Sequence, residues 1–327
     1  MAFDSSQLGR ALACLRFTCL DVGARQGFTK DLLPIASAVD AVAFEPDRDE
    51  CARLNADAGR SRSPWRTVRY LPVALGPSDG PKQLHLYRQR GCSSLLEADQ
   101  ALAARYSRAD YFELDGKVEV TTSPLDDAAA QHGFRDATYL KIDVQGYELA
   151  IFESGPRILG ESMLAIRAEV SFIPLYKGQP LFGDIAAHLV PLGFIPLGFE
   201  ELHDWRRSTK VKHPIRAPGA LPYSRGQLVH GDVLFVRDPE GLGDTTPAEA
   251  ETLLKAAFLA LTYGYVDHAA AICARPGVAR YLKERGVADI DRGLSEASDW
   301  HARRYRQESR RRALRRLAGT VKSFLPR

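Results

Sequence analysis

Between residue 17 and about residue 170 the chain repeats one unit: a short apolar run, a turn, then a stretch of helical periodicity. The runs Phe17–Leu20, Ala41–Phe44, Thr67–Val73, Thr138–Ile142 and Met163–Ala168 are short and rich in buried residue types, which marks strands covered on both faces. Between them Phe28–Ser37, Arg48–Asp57 and Tyr147–Leu159 read as helices. Alternation at this spacing requires right-handed crossovers, so it predicts a mostly parallel sheet with helices on both faces. Gln83–Arg88 and Val118–Thr122 alternate like half-exposed strands and predict an added hairpin after the third strand. Phe194–Phe199 and Asp232–Val236 predict a final antiparallel hairpin whose connection, 203–230, has grown into a loop rich in proline and arginine.

Asp238–Pro247 reads as a linker, Ala248–Tyr263 and Ala269–Gly286 as helices, and an arginine-rich helix takes over from about residue 300. The expected organisation is a sheet domain over 1–240, a helical extension over 241–300 and a basic amphipathic tail over 301–327. The net charge of +3 conceals this division. Residues 301–327 hold ten Lys or Arg against Glu308 alone, a surplus of +9, which leaves the first 300 residues at −6. An acidic body argues against nucleic acid as the partner. Within the tail Leu314, Leu317, Ala318, Val321, Phe324 and Leu325 fall at helical spacing, with arginines on the other faces. Such a helix suits an anionic membrane surface or an acidic partner, or packs on its own acidic body. Five cysteines without a C-x-x-C pair indicate neither a zinc ribbon nor a disulfide framework. With no secretory signal pattern and no apolar run of spanning length, the expected location is the cytoplasm, possible contact with the membrane being peripheral.

Three strings carry the chemistry. Leu20-Asp21-Val22-Gly23-Ala24-Arg25-Gln26-Gly27 lies directly between the first strand and the first expected helix. Its glycines permit a tight turn and close backbone approach to a ligand. The dinucleotide fingerprint G-x-G-x-x-G is absent, and Asp21 would repel a pyrophosphate while attracting an ammonium group. That charge pattern favours S-adenosylmethionine over a nicotinamide dinucleotide. Glu45 ends the second strand 24 residues after Asp21, where such folds place the acid that accepts both ribose hydroxyls. Tyr139–Glu148, LKIDVQGYE within it, runs from a buried strand into a turn and helix. Asp143 ends that strand and Glu169 the next, both on the ligand edge of the sheet. Glu148 is explained by the favourable field of a helix N-terminus. Each acid alone is compatible with a solvated strand end or a local cap; Asp21 and Glu45 together point to a ligand more strongly than either does alone.

The strings DVGARQG, AFEP, SSL (Ser93–Leu95), LKIDVQGYE, AEVSFIPLYKGQPLF and GDVLFVRD, in order over residues 17–240, resemble the FkbM family of methyltransferases. The resemblance implies a Rossmann-like class I methyltransferase fold, S-adenosylmethionine as donor, and transfer to a hydroxyl of a sugar, glycan or secondary-metabolite acceptor. Carried over, it implies cofactor binding by Asp21, Gly23, Gly27, Glu45 and Ser94, and a reaction centre lined by Asp143 and Glu169. Arg25 stands where the family often has Asn, and Gln145 where it usually has Glu. These departures keep a non-catalytic S-adenosylmethionine-binding scaffold as the alternative. A hydroxyl needs a base as attack proceeds. Asp143 is the first candidate, Glu169 the second, and His85, His203 and His230 stand outside. No spacing demands a metal. The interleaved aromatics and cations of 203–230 suit an acceptor-binding lid or a solvated loop equally.

Overall fold

The computed structural model describes residues 3, 7–60, 63–209, 225–287 and 289–324; for Glu308 and 311–324 it describes the backbone alone. Ten strands follow in order: Phe17–Val22 (β1), Val39–Phe44 (β2), Thr67–Leu71 (β3), Ala74–Leu75 (β4), Gly80–Tyr87 (β5), Leu114–Ser123 (β6), Ala137–Ile142 (β7), Ala165–Ser171 (β8), Phe194–Trp205 (β9) and Gln227–Arg237 (β10). Seven form one sheet in the order β3-β2-β1-β7-β8-β10-β9. The neighbours from β3 to β8 pair in parallel, and β10 runs antiparallel to both β8 and β9. This is the α/β architecture that the alternation predicts. The chain winds outward from β1 to β3, then returns to the other side of β1 for β7. Such a reversal opens a crevice beyond the carboxyl ends of the strands it separates.

The added hairpin is present as β5 and β6, extended by β4 into a three-stranded sheet. Its connection folds over the crevice. There Tyr87, Phe112 and Tyr176 form a small core with Trp205 packed against it, and Asp99 caps the helix Gln100–Ala104 by accepting from the Leu102 amide at 2.8 Å.

Side chains alternate between the faces of a strand. Leu20, Val22, Leu140, Ile142, Ile166 and Ala168 point into one core, completed by helices Leu125–His132, Glu148–Glu153, Pro156–Glu161 and Phe182–Leu189. Phe17, Cys19, Tyr139, Ala165 and Leu234 point into the other. That second core is closed by Gln7–Ala13, by helices Pro247–Thr262, Val266–Cys273 and Pro276–Glu284, and by the start of Ile290–Phe324. Leu253, Leu254, Phe258 and Leu261 are almost fully buried there. At about 2 kcal/mol for each such side chain, the helices after β10 are a substantial part of what covers the sheet.

The expected helix over 28–37 is not formed. Only a 3-10 turn at Leu33–Ala38 occurs, preceded by turns. Pro34 lacks an amide donor and disfavours helical geometry at Leu33, while Thr29 and Asp31 spend their side chains on local hydrogen bonds. The helix expected over 147–159 breaks into two at Gly155, where a Cβ would sit 2.5 Å from Leu125. Pro276 likewise divides the stretch 269–286. The last two strands are longer than their apolar runs, so 203–205 and 227–230 belong to β9 and β10. Lys210, Lys212, Arg216 and Tyr223 of the expected lid lie outside the described residues.

Candidate active site

Register brings charged groups together on one face of the sheet. Asp21 of β1 pairs with Lys141 of β7, and Lys141 with Arg167 of β8. Partners at one level of a parallel sheet share a face, so a carboxylate, an ammonium and a guanidinium stand side by side. Two residues further along lie Asp143 and Glu169, and β10 sets Asp232 opposite Glu169. This is the face covered lower down by the carboxy-terminal helices.

Asp21 is 2% exposed. Its Oδ2 accepts the Thr29 amide at 2.7 Å, while among the described residues its buried Oδ1 has no hydrogen-bond partner. Lys141 Nζ lies 3.6 Å from that oxygen and 3.6 Å from Asp143 Oδ2. Burial pushes the Asp21 carboxyl up to about 6, against the downward pull of Lys141 and the Thr29 amide. Gly23 has φ +90°, and a Cβ there would lie 2.1 Å from the Asp143 carbonyl oxygen. A side chain at this position would force apart the loops after β1 and β7. Gly27 also has φ +93°, beside the Tyr70 hydroxyl that accepts the Phe28 amide at 3.1 Å. At the tip of β2 the buried Glu45 accepts the Asp47 amide at 2.9 Å. Burial raises its carboxyl, and the Asp47 amide and the charge of Arg25 partly restrain it.

Asp143 and Glu169 are tied by Gln145. Its Nε2 donates to Asp143 Oδ1 at 2.8 Å and to Glu169 Oε2 at 2.7 Å, and its Oε1 lies 3.0 Å from the Tyr176 hydroxyl. The residue holds a left-handed backbone, φ +60°, which a non-glycine side chain adopts only when its surroundings insist. Burial works upward on Asp143, but Lys141 and hydrogen bonds from Gln145 and Glu169 hold it below its ordinary value. Glu169 is driven well above its own, first by burial, then by the charges of Asp143, Glu148 and Asp232. The two neighbouring acids are thus driven in opposite directions, Asp143 toward its charged form and Glu169 toward its neutral one. His230 Nδ1 is 3.2 Å from Glu169 Oε1, and the His203 ring stacks on His230 at 4.5 Å. Burial and the neighbouring His203 lower His230 to about 4.

One cavity of about 860 Å³ is lined by Asp21, Gly23, Gly27, Glu45, Lys141 and Asp143. Both strand-tip acids thus open on the same space as the glycine turn. Gln145 also lines it, and Glu169 stands behind, joined through that amide. Ser94 is 1% exposed; its hydroxyl donates to the Gln145 carbonyl at 2.8 Å and accepts the Leu96 amide at 3.0 Å, while Ser93 and Leu95 reach the cavity wall. His85 lies on β5 and is not among the residues that line the cavity. Sequence reasoning gave no role to Lys141, although a lysine inside an otherwise apolar strand was a signal in plain view. The proximity of His230 to Glu169 had no such signal.

The family model described as the methyltransferase FkbM domain matches residues 21–196, more than half of the chain. The chain belongs to the FkbM methyltransferase family. Among curated proteins, a 2-O-methyltransferase, NoeI, from Sinorhizobium fredii is 26% identical over 166 residues, 49% of this chain and 65% of NoeI. The FkbM chain therefore spans less than two thirds of that relative's length. Among solved structures, a methyltransferase FkbM from Methylobacillus flagellatus aligns with a TM-score of 0.35 at 13% identity, over 68% of this chain and 45% of that one. The magnesium protoporphyrin IX methyltransferase ChlM from Synechocystis, crystallised with bound SAM, aligns with a TM-score of 0.33 at 11% identity, over 71% and 79%. The FkbM match ends at residue 196, early in β9, so β10 and the helices that close the second core lie beyond it.

Proposed function

We propose that this FkbM-family chain is an S-adenosylmethionine-dependent O-methyltransferase acting on a hydroxyl of a sugar, glycan or secondary-metabolite acceptor. The observation that carries the reading is the shared cavity: Asp21 and Glu45, on adjacent strand tips, face one space floored by Gly23 and Gly27. The residues fit the cofactor. Asp21 offers a buried oxygen that accepts no hydrogen bond among the described residues, with Lys141 Nζ 3.6 Å away, and carries the right charge for an ammonium group; Glu45 suits a ribose diol, and the backbone at Gly23 tolerates no side chain. S-adenosylmethionine, when bound, supplies a methyl carbon already activated by its sulfonium. The protein's own share is to align, to exclude water and to take a proton. Asp143, on the cavity wall, is the group to accept the hydroxyl proton, with Glu169 and Gln145 adjusting its basicity. NoeI, named as a 2-O-methyltransferase, supports oxygen as the acceptor atom.

Calorimetric titration with S-adenosylmethionine tests the cofactor assignment. Asp21→Asn and Glu45→Gln are each expected to weaken binding about 10- to 100-fold, the range for a hydrogen bond to a charged group. Affinity is also expected to fall as pH drops through about 6, where Asp21 takes up its proton. Unaltered affinity in both variants removes the assignment. Comparing cell-surface glycans from cells with and without the protein tests the acceptor class through a missing methyl group. Tight cofactor binding with no transfer to any acceptor would instead favour the non-catalytic scaffold.

A further inference from the structure

The helices after β10 lie beyond the matched family segment, yet one of them reaches the cofactor end of the cavity through hydrogen bonds. Tyr263 caps the carboxyl end of helix Pro247–Thr262. Its hydroxyl donates to Asp31 Oδ2 at 3.3 Å and meets the Tyr139 hydroxyl at 2.5 Å. The same Asp31 oxygen accepts from Thr29 Oγ1 at 2.7 Å and from Arg167 Nη1 at 2.5 Å. Arg167 is anchored in turn by Asp232, 3.1 Å from Nη2. The backbone amide of Thr29 then donates to Asp21 Oδ2 at 2.7 Å.

A carboxylate with one oxygen fixed has its second oxygen aimed. Fixing Oδ2 of Asp21 decides where Oδ1 points, and Oδ1 is the buried atom without a hydrogen-bond partner. The stretch that fixes it, from Gly23 to Leu32, has no α-helix of its own, so its shape must be imposed from outside. Asp31 is where that happens, held from the sheet by Arg167 and from the helical extension by Tyr263.

We propose that Tyr263, Asp31 and Thr29 are positioning residues for the cofactor site, through which the carboxy-terminal helices orient Asp21. The proposal rests on Asp21 contacting S-adenosylmethionine. It assigns the extension a part in cofactor affinity besides its part in the core.

The test uses the full chain. Tyr263→Phe and Thr29→Val each remove one hydroxyl at nearly constant shape, and Thr29→Ser restores it; the ring of Tyr263 keeps its stack on Tyr139, centroids 6.4 Å apart. Hydrogen exchange of the backbone amide at residue 29 reads the relay in the free protein, and calorimetry with S-adenosylmethionine reads the site. Tyr263→Phe and Thr29→Val are expected to speed exchange at residue 29 and to weaken binding, each by about five-fold, as befits one hydrogen bond. Melting temperatures should stay within about 4 °C of wild type, and Thr29→Ser should match wild type in both readouts. Unchanged exchange in both variants overturns the proposal, as does faster exchange with unchanged affinity. A wild-type chain that does not bind S-adenosylmethionine overturns the cofactor assignment and this role with it, whereas failure of the relay alone leaves wild-type binding intact.

Discussion

At the ends of β7 and β8 two acids share the amide of Gln145 but not the ammonium of Lys141, and the difference divides their protons. Lys141 holds Asp143 toward its charged form, whereas burial and the neighbouring carboxylates push Glu169, beside His230, toward its neutral one. A singly protonated pair is a weak base, and the loss of the second proton makes it a stronger one. Glu169 is raised, so it holds its proton until the pH climbs through its displaced value. Turnover is therefore expected to rise as the pH climbs through that raised value, above the ordinary carboxylate range. Glu169→Gln fixes the neutral form and should flatten that rise while cofactor affinity stays within about two-fold. Asp143→Asn should lower kcat by about 100-fold or more, the usual contribution of a positioned base, again with cofactor affinity retained. A pH–rate profile of each variant decides; full turnover in Asp143→Asn removes it from the mechanism. Asp21, Glu45 and Asp143 were legible because each ends an apolar strand directly before a turn. Glu169 was legible as a strand end, but its partner His230 was not. That contact depends on the antiparallel register of β8 with β10, which spans some sixty residues of sequence and leaves no local trace.

Among the elements, the turn between β7 and helix Glu148–Glu153 shows how a strained loop is held. Gln145 and Gly146 both have positive φ, and Glu148 Oε1 accepts the amides of Val144 at 2.9 Å and Gly146 at 3.2 Å. Sequence placed Glu148 in the first helical turn and explained it by the helix field. The structure adds that its side chain braces the turn that presents Gln145. Burial drives its carboxyl up to about 7, despite those donated bonds. The sign follows from linkage. A carboxyl at about 4.5 when unfolded and about 7 when folded favours folding most below pH 4.5, and that contribution is lost as the pH rises through 7. Its span is about 3 kcal/mol. Glutamine keeps the accepting oxygen and has no charge to bury. Glu148→Gln is thus expected to match wild type at pH 5 and to exceed it by about 1–3 kcal/mol at pH 8, measured by urea unfolding. Equal stabilities at pH 8 would show that the charge is not costly in place. The strand–helix alternation was legible for the same reason the strands are buried: apolar runs interrupted by turns. The missing helix at 28–37 was not, because its apolar periodicity is real while Pro34 and the side chains of Thr29 and Asp31 redirect the backbone.

Over the whole molecule the charge is divided between an acidic body and a basic end, and the last helix joins them. Its first turns belong to the body: Leu294 and Ala297 are buried, the Trp300 ring meets Phe3 at 6.2 Å, and His301 Nε2 lies 2.7 Å from the Leu261 carbonyl. From Ala302 to Arg310 the described side chains are exposed, with Tyr305 at 74%. The helical backbone continues to Phe324, so some 23 residues carry on for about 35 Å. The apolar stripe from Leu314 to Leu325 lies where side chains are outside the described residues, and it enters through sequence spacing alone. Among the described residues no helix is long and apolar enough to cross a membrane. Arginines flanking an apolar stripe predict an anionic lipid surface as its partner, since nucleic acid would leave the stripe without a role. With about 1 kcal/mol for each cation near such a surface, ten cations are ample for binding that fades with salt. The full chain is expected to sediment with vesicles containing phosphatidylserine and to remain in solution with phosphatidylcholine alone. A chain ending at residue 302, which keeps the His301 contact with the Leu261 carbonyl, should lose sedimentation while keeping cofactor affinity, because Tyr263 and the helices packed around it remain. Sedimentation undiminished by that truncation would move the contact to the body, and the tail would then have to be explained by a protein partner.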